Sequence, residues 1–187
     1  MKLSTVFTLM IFVGMSFSSL SFGDQSNELV AETSIDNEWV VNIVTENSVH
    51  ASVNGQVTHG DGLHVRLVKN YCDKGNLLTF VYTYANHPKI DQLKGSYVTT
   101  KFMGGEVIVR ILFASPFLMG HRATIDLGWA SIGELKRILK KENPIVLQYL
   151  DSEEVKITDY FDITHNNWSN YGVSETLERA QEMCKKL

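Results

Sequence analysis

The sequence predicts a mainly β protein: a β-sandwich or strongly curved antiparallel sheet with two short helices, one of them C-terminal. Three observations carry that expectation. Short runs rich in β-branched and aromatic residues alternate with polar ones at period two. Signals of Gly, Asn and Asp break these runs at close intervals, as in Asn54-Gly55, Gly60-Asp61-Gly62 and Gly104-Gly105. Helical spacing of apolar residues occurs in only two places.

The chain begins with Met1-Lys2, followed by a charge-free stretch from Leu3 to Leu20 with an apolar centre at Val6–Val13. Ser21-Phe22-Gly23 then places small residues before Asp24. Basic, apolar and small-residue regions in this order form a signal-peptide pattern. The apolar centre is short for a span of about 20 residues, so removal of residues 1–23 is expected. Gln25 to Asn37 is polar, and 24–37 reads as a flexible arm. Residues 38–187 suffice for one domain with a real core.

The strands follow in order. Trp39–Val44 is rich in strand formers, and Val49–Val53 alternates up to Asn54-Gly55. Leu63–Val68 alternates again, and Asp73–Asn76 turns the chain. Leu77–Ala85 puts Phe80, Tyr82 and Tyr84 on one face and Thr79, Val81 and Thr83 on the other. His87-Pro88 opens a loop, because proline restrains the residue before it. Tyr97–Met103 and Glu106–Phe113 read as a hairpin, and Phe113–Gly120 as an apolar connection. In His121–Trp129, Ala123, Ile125, Leu127 and Trp129 face away from Arg122, Thr124, Asp126 and Gly128. Ser131 and Glu134 fit a capping box ahead of Ile132, Leu135 and Leu139, and Pro144 ends that region. Ile145–Leu150 and Val155–Ile163 return to a strand pattern. A last helix from Ser174 carries Leu177, Ala180, Cys184 and Leu187 as one apolar stripe.

Cys72 and Cys184 are the only cysteines. In an exported chain an even pair reads as a disulfide, and the inward stripe suits Cys184 for it. The alternative, a catalytic thiol, needs a low pKa and a nearby base, and the sequence supplies neither. The chain-entropy model allows so long a loop about 4–5 kcal/mol at most.

Composition excludes a disordered or collagen-like chain. A net charge of −4 and the lack of a dense Lys/Arg tract argue against nucleic acid. No segment after the signal peptide suits a membrane span; Arg110 and Pro116 interrupt the best stretch. His59, Asp61 and His64 surround a turn with His50 on a neighbouring strand, but metal sites usually need three or four converging ligands, and no metal or other cofactor is expected. Glu153-Glu154 and Asp159/Asp162 point apart, and no GxSxG elbow, P-loop or GxGxxG is present. No catalytic residue is assigned. Lys136, Arg137, Lys140 and Lys141 form a solvated helix face. Tyr82, Tyr84, Tyr97, Phe102 and Trp129 fall on strands, where aromatic residues are mostly core; a partly exposed set lining one surface of the sheet would mark a binding face instead.

The run Phe161-Asp162-Ile163, Asn167-Trp168-Ser169, Gly172, Leu177, Ala180 and Cys184 resembles the ending of small bacterial periplasmic β-proteins of the invasion-associated locus B family. The resemblance covers Phe161 to Cys184. It implies an exported β-sandwich in the periplasm and carries over no active residues. The chain departs from the family in lacking a second early cysteine.

The expectation is a periplasmic or secreted, non-enzymatic module that binds another protein, for instance an inhibitor or immunity protein against an envelope-acting enzyme. Two other classes stay open: a small-molecule or lipid carrier, and a hydrolase of envelope polymers. Loops on a rigid sheet commonly carry recognition. Two are candidates: the proline-stiffened loop with His87, Pro88 and Lys89, and the apolar connection with Phe117, Leu118 and Met119 as anchors or, alternatively, as a core cover.

Overall fold

The computed structural model describes residues 38–58, 60–84 and 90–187. The expected signal peptide, the arm and the loop residues His87, Pro88 and Lys89 lie outside the described residues. Nine strands form one antiparallel sheet: β1 (Val40–Thr45), β2 (Ser48–Asn54), β3 (Gly62–Val68), β4 (Lys74–Thr83), β5 (Tyr97–Phe102), β6 (Gly105–Phe117), β7 (Gly120–Ser131), β8 (Ile145–Leu150) and β9 (His165–Trp168). Their order is β1-β2-β3-β4-β7-β6-β5-β8-β9. Two helices, α1 (Ile132–Leu139) and α2 (Val173–Lys186), complete the fold. No helix among the described residues is long and apolar enough to cross a membrane.

Of the two predicted architectures, the curved sheet is the one that forms. It curls into a half-barrel, and cross-links between distant strands define the curl. The Thr79 hydroxyl on β4 meets the Tyr149 hydroxyl on β8, although three strands lie between them in the sheet order. Trp39 Nε1, just before β1, donates to the Ser169 carbonyl just after β9 at 2.7 Å. The Gln56 N–H in the β2–β3 turn donates to the Asn167 carbonyl at 2.9 Å. Single hydrogen bonds thus tie the two ends of the curled sheet to each other, although β1 and β9 do not pair as strands.

The inner face is apolar. Val49, Ala51 and Val53 on β2, Leu63, Val65 and Leu67 on β3, and Ile145 and Leu147 on β8 are all buried, with period two as each sequence predicts. The α2 stripe of Leu177, Ala180 and Cys184 joins this core, and the helix lies against β1, β2 and β3. Cys184 bonds to Cys72 in the β3–β4 turn, with 5.7 Å between their Cα atoms. Ser131 caps α1 through the Glu134 N–H while Glu134 accepts from the Ser131 N–H, completing the expected capping box. Lys136 of α1 pairs with Glu178 of α2 at 2.6 Å.

Four sequence expectations need correction. Val155–Ile163 is not a strand: Ser152 bonds the backbone of Val155, Asp151 accepts from both the N–H and the hydroxyl of Thr158, and Ile157–Asp159 makes a 3₁₀ turn. Such local side-chain bonds compete with a ladder, and Ile157 and Phe161 are buried at helical spacing instead. His165–Trp168 forms the edge strand that the sequence reading passed over, pairing Ile145 with Trp168. The expected connection Phe113–Gly120 is strand almost throughout; β6 runs to Phe117 and β7 starts at Gly120. Finally, a bulge sets Leu77 opposite Gly128 and Leu78 opposite Asp126, leaving Leu127 as the extra residue. A one-residue insertion reverses which face the following side chains occupy. Trp129 therefore lies opposite Asn76 on the outer face with Arg66, not inward with Ala123 and Ile125.

Candidate functional site

The longest hairpin of the sheet, β6–β7, ends in a two-residue tip, Leu118-Met119, between the paired residues Phe117 and Gly120. The tip side chains are 85% and 87% exposed, the most of any large apolar residues described. Leu118 has φ +52°, a left-handed conformation that costs a non-glycine L-residue about 1–2 kcal/mol. The chain thus holds an apolar residue in a strained conformation where it gains no packing.

The base of this tip is fixed. Tyr82 Oη donates to the Phe117 carbonyl at 2.9 Å. The Phe117 ring meets the Tyr82 ring edge-on at 5.7 Å, and Tyr82 meets Tyr84 in the same manner at 5.1 Å. Arg122 stacks between two rings, its guanidinium carbon 4.3 Å from the centre of Phe117 and 5.2 Å from that of Phe80. Gly120 presses on the Thr83 carbonyl so closely that a Cβ there would stand 2.2 Å from the oxygen, so only glycine fits. Beside the tip lies a hollow of about 290 Å³ lined by Tyr84, Pro116, Leu118, Met119, Gly120 and His121. A protruding apolar pair next to a concave polar-walled hollow is the shape of a recognition surface.

The sequence-predicted residues divide accordingly. Leu118 and Met119 stand out in solvent, while Phe117, at 37% exposure, serves as their anchor in the sheet. The core-cover alternative does not describe Leu118 or Met119. Sequence reasoning missed Tyr84, His121 and Arg122 as parts of this surface. Arg122 pairs with Tyr82 on the outer face and Tyr84 follows Tyr82 at period two, both readable from the alternation, whereas His121 pairs with Thr83 on the other face and reaches the hollow only through its place beside the tip.

The predicted aromatic surface splits. Tyr82, Tyr84, Tyr97 and Trp129 lie on the outer face or its rim, whereas Phe102 packs against the core. The histidine–carboxylate cluster does not converge as a metal centre. His50 and His64 meet edge-on, 5.8 Å between ring centres, and His64 stacks on Phe80. Burial holds His64 down at about 3, with His50 and Arg122 adding; burial and Arg66 hold His50 down at about 4. Asp61 turns away from both. Its carboxylate accepts from the Tyr82 N–H at 2.6 Å and from Asn166 Nδ2 at 2.9 Å. His59 lies outside the described residues, and no group of three or more potential ligands gathers among the others.

Among the described residues Asp61 is the one carboxyl raised well above its ordinary range, to about 6. Burial is the main cause and the Asp162 charge adds to it, against the bonds from Tyr82 and Asn166. A raised carboxyl is a familiar mark of acid catalysis, yet Asp61 is only 3% exposed with both oxygens engaged. Its role is structural: together with Asn166 it ties the β2–β3 turn to β4 and β9. Asp162 accepts from the Thr83 hydroxyl at 2.9 Å, and Asp159, Glu153 and Glu154 point into solvent.

No protein-family model matches this chain, and no curated protein or solved structure matches it either. The disulfide agrees with an oxidising, exported environment.

Proposed function

We propose that this chain is an exported, non-enzymatic protein-binding module that engages its partner through the β6–β7 hairpin tip. The observation that carries this reading is Leu118: exposed, apolar, and held in a left-handed conformation on a rigidly anchored base. A tip fixed before binding avoids most of the ordering cost of association. An inhibitor or immunity protein that inserts a stiff apolar tip into the cleft of an envelope-acting enzyme uses this geometry. The signal-peptide pattern of residues 1–23 and the disulfide support export to the periplasm or beyond. The resemblance of the C-terminal run to the invasion-associated locus B family supports the same location.

The test is the double variant Leu118→Ser/Met119→Ser. Both side chains project from the fold, so the melting temperature stays within a degree or two of wild type. Burying a Leu or Met side chain contributes about 1.5–3 kcal/mol, so a partner captured by wild-type protein and then purified binds the variant at least about a hundredfold more weakly. Undiminished affinity for that partner overturns the reading.

A further inference from the structure

A second surface, at the far end of β7 from the tip, has the features of a small-ligand site. A groove of about 370 Å³ is lined by Val68, Tyr71, Lys74 and Trp129. Tyr71 is 64% exposed and Trp129 49%, so two aromatic rings flank an apolar floor without being used by the fold. The bulge at Leu127 is what turns Trp129 outward to meet them. Arg66 lies over the Trp129 ring at 5.9 Å.

The charges around the groove are unequally occupied. On the acceptor side, Asp126 accepts from Asn76 Nδ2 at 2.6 Å and from the Gly128 N–H at 2.8 Å, and Glu134 is held by the Ser131 N–H and hydroxyl in the α1 cap. On the donor side, Arg66 bonds only Asn76, at 3.4 Å, and its buried Nε has no partner. Lys74 makes no hydrogen bond or ion pair through its ammonium among the described residues. Asp126 and Glu134 have their hydrogen bonds filled within the fold, whereas the Lys74 ammonium donates none, although its charge helps hold the Glu134 carboxyl below its ordinary range; the open donor suits an anion. The floor supplies no hydrogen-bonding groups, which disfavours a saccharide and suits a flat apolar ring.

We infer that the groove between Tyr71 and Trp129 binds a small planar aromatic anion, such as an aryl carboxylate, with the ring held between the two side chains and the carboxylate on Lys74 and Arg66. This inference is independent of the hairpin tip.

The fold itself supplies a reporter. Of the three tryptophans, Trp39 and Trp168 are buried and Trp129 is half-exposed, so a ligand in the groove acts on the emission of Trp129. The full exported chain is titrated with 2-naphthoate, its neutral amide 2-naphthamide and glucuronate, by calorimetry and by tryptophan emission. Naphthoate is expected to bind and to change the emission, naphthamide to bind at least about threefold more weakly, and glucuronate not to bind. Ring stacking is worth about 1–3 kcal/mol per aromatic side chain removed, so Tyr71→Ala and Trp129→Ala each weaken naphthoate about tenfold or more. Lys74→Gln removes most of the preference for naphthoate over the amide. All three positions are exposed, and an unchanged melting temperature verifies each variant's fold. The inference is overturned by the absence of naphthoate binding, by equal affinity for acid and amide, by stronger binding of glucuronate, or by undiminished affinity in folded Tyr71→Ala and Trp129→Ala.

Discussion

Leu118 shows how one residue can separate stability from function. Its φ of +52° is a conformation that asparagine tolerates and leucine resists. Leu118→Asn should therefore hold or raise the melting temperature, by up to about 1 kcal/mol of relieved strain, while weakening partner binding. Circular dichroism melts and a binding isotherm on one preparation check both halves. His50 and His64 make a second residue-scale point. Their folded values of about 4 and about 3 lie below the ordinary 6.5, so each contributes stability that is present above pH 6.5 and lost as pH falls towards its folded value. Asp61 has the opposite sign. Its folded value of about 6 exceeds its ordinary 3.8, so its contribution is present below about pH 4 and lost as pH rises through 6. Two histidines outweigh one aspartate between pH 6.5 and 4, and the protein should lose stability on acidification in that window. Denaturant melts from pH 7.5 to 4 should show the loss. Replacing His64 with Gln should flatten it, and Asp61→Asn should steepen it.

At the scale of elements, α2 depends on the Cys72–Cys184 bond and α1 on its cap. Removing the disulfide with paired serine substitutions should cost about 2–5 kcal/mol. Hydrogen exchange should report the loss first in α2, because that helix is what the bond ties to the β3–β4 turn. Ser131→Ala should cost about 1 kcal/mol, read from the same denaturant curves. These elements were legible in the sequence because their signals are local: a Ser-x-x-Glu box, an apolar stripe at helical spacing, and period-two runs bounded by Gly and Asn. The misreadings came where tertiary structure overrides local pattern. His165–Trp168 has too few strand formers to show itself, and becomes a strand because Ile145–Leu150 offers it an edge. Val155–Ile163 has the composition of a strand but is claimed by Asp151 and Ser152. The bulge at Leu127 has one signal, Gly128 inside the strand run with φ +111°, which the plain alternation read as an ordinary strand position, and the bulge decides that Trp129 faces out. The tip of the candidate site was half readable: Phe117, Leu118 and Met119 stand out as apolar residues in need of a place, but their exposure follows from how far the two strands extend.

At the scale of the whole molecule, closure of the curled sheet rests on few groups. Asn166 is central to it, with Nδ2 donating to Asp61 and Oδ1 accepting from the N–H groups of Val57 and Asn167. Asn166→Ala takes from the buried Asp61 carboxylate one of its two donors and leaves the partly exposed N–H groups of Val57 and Asn167 to water, so it should cost about 1–3 kcal/mol in a denaturant titration, the penalty of one orphaned buried group. The clasp at Trp39 and Ser169 should loosen with it.

The disulfide also sets how the molecule answers to being pulled. Cys184 lies three residues from the end of the chain, and 112 positions separate it from Cys72. A force applied between Glu38 and Leu187 passes through β1, β2 and β3, then crosses the sulfur bridge to the end of α2. All the strands from β4 to β9 sit inside the covalent ring and never enter the line of tension. Fully stretched, the chain between those two residues can reach roughly 125 Å while the bridge is intact and roughly 500 Å once it is reduced, at about 3.4 Å per residue. The hairpin that carries Leu118 and Met119 lies wholly within that ring, so no tension passes along its backbone while the bridge is intact.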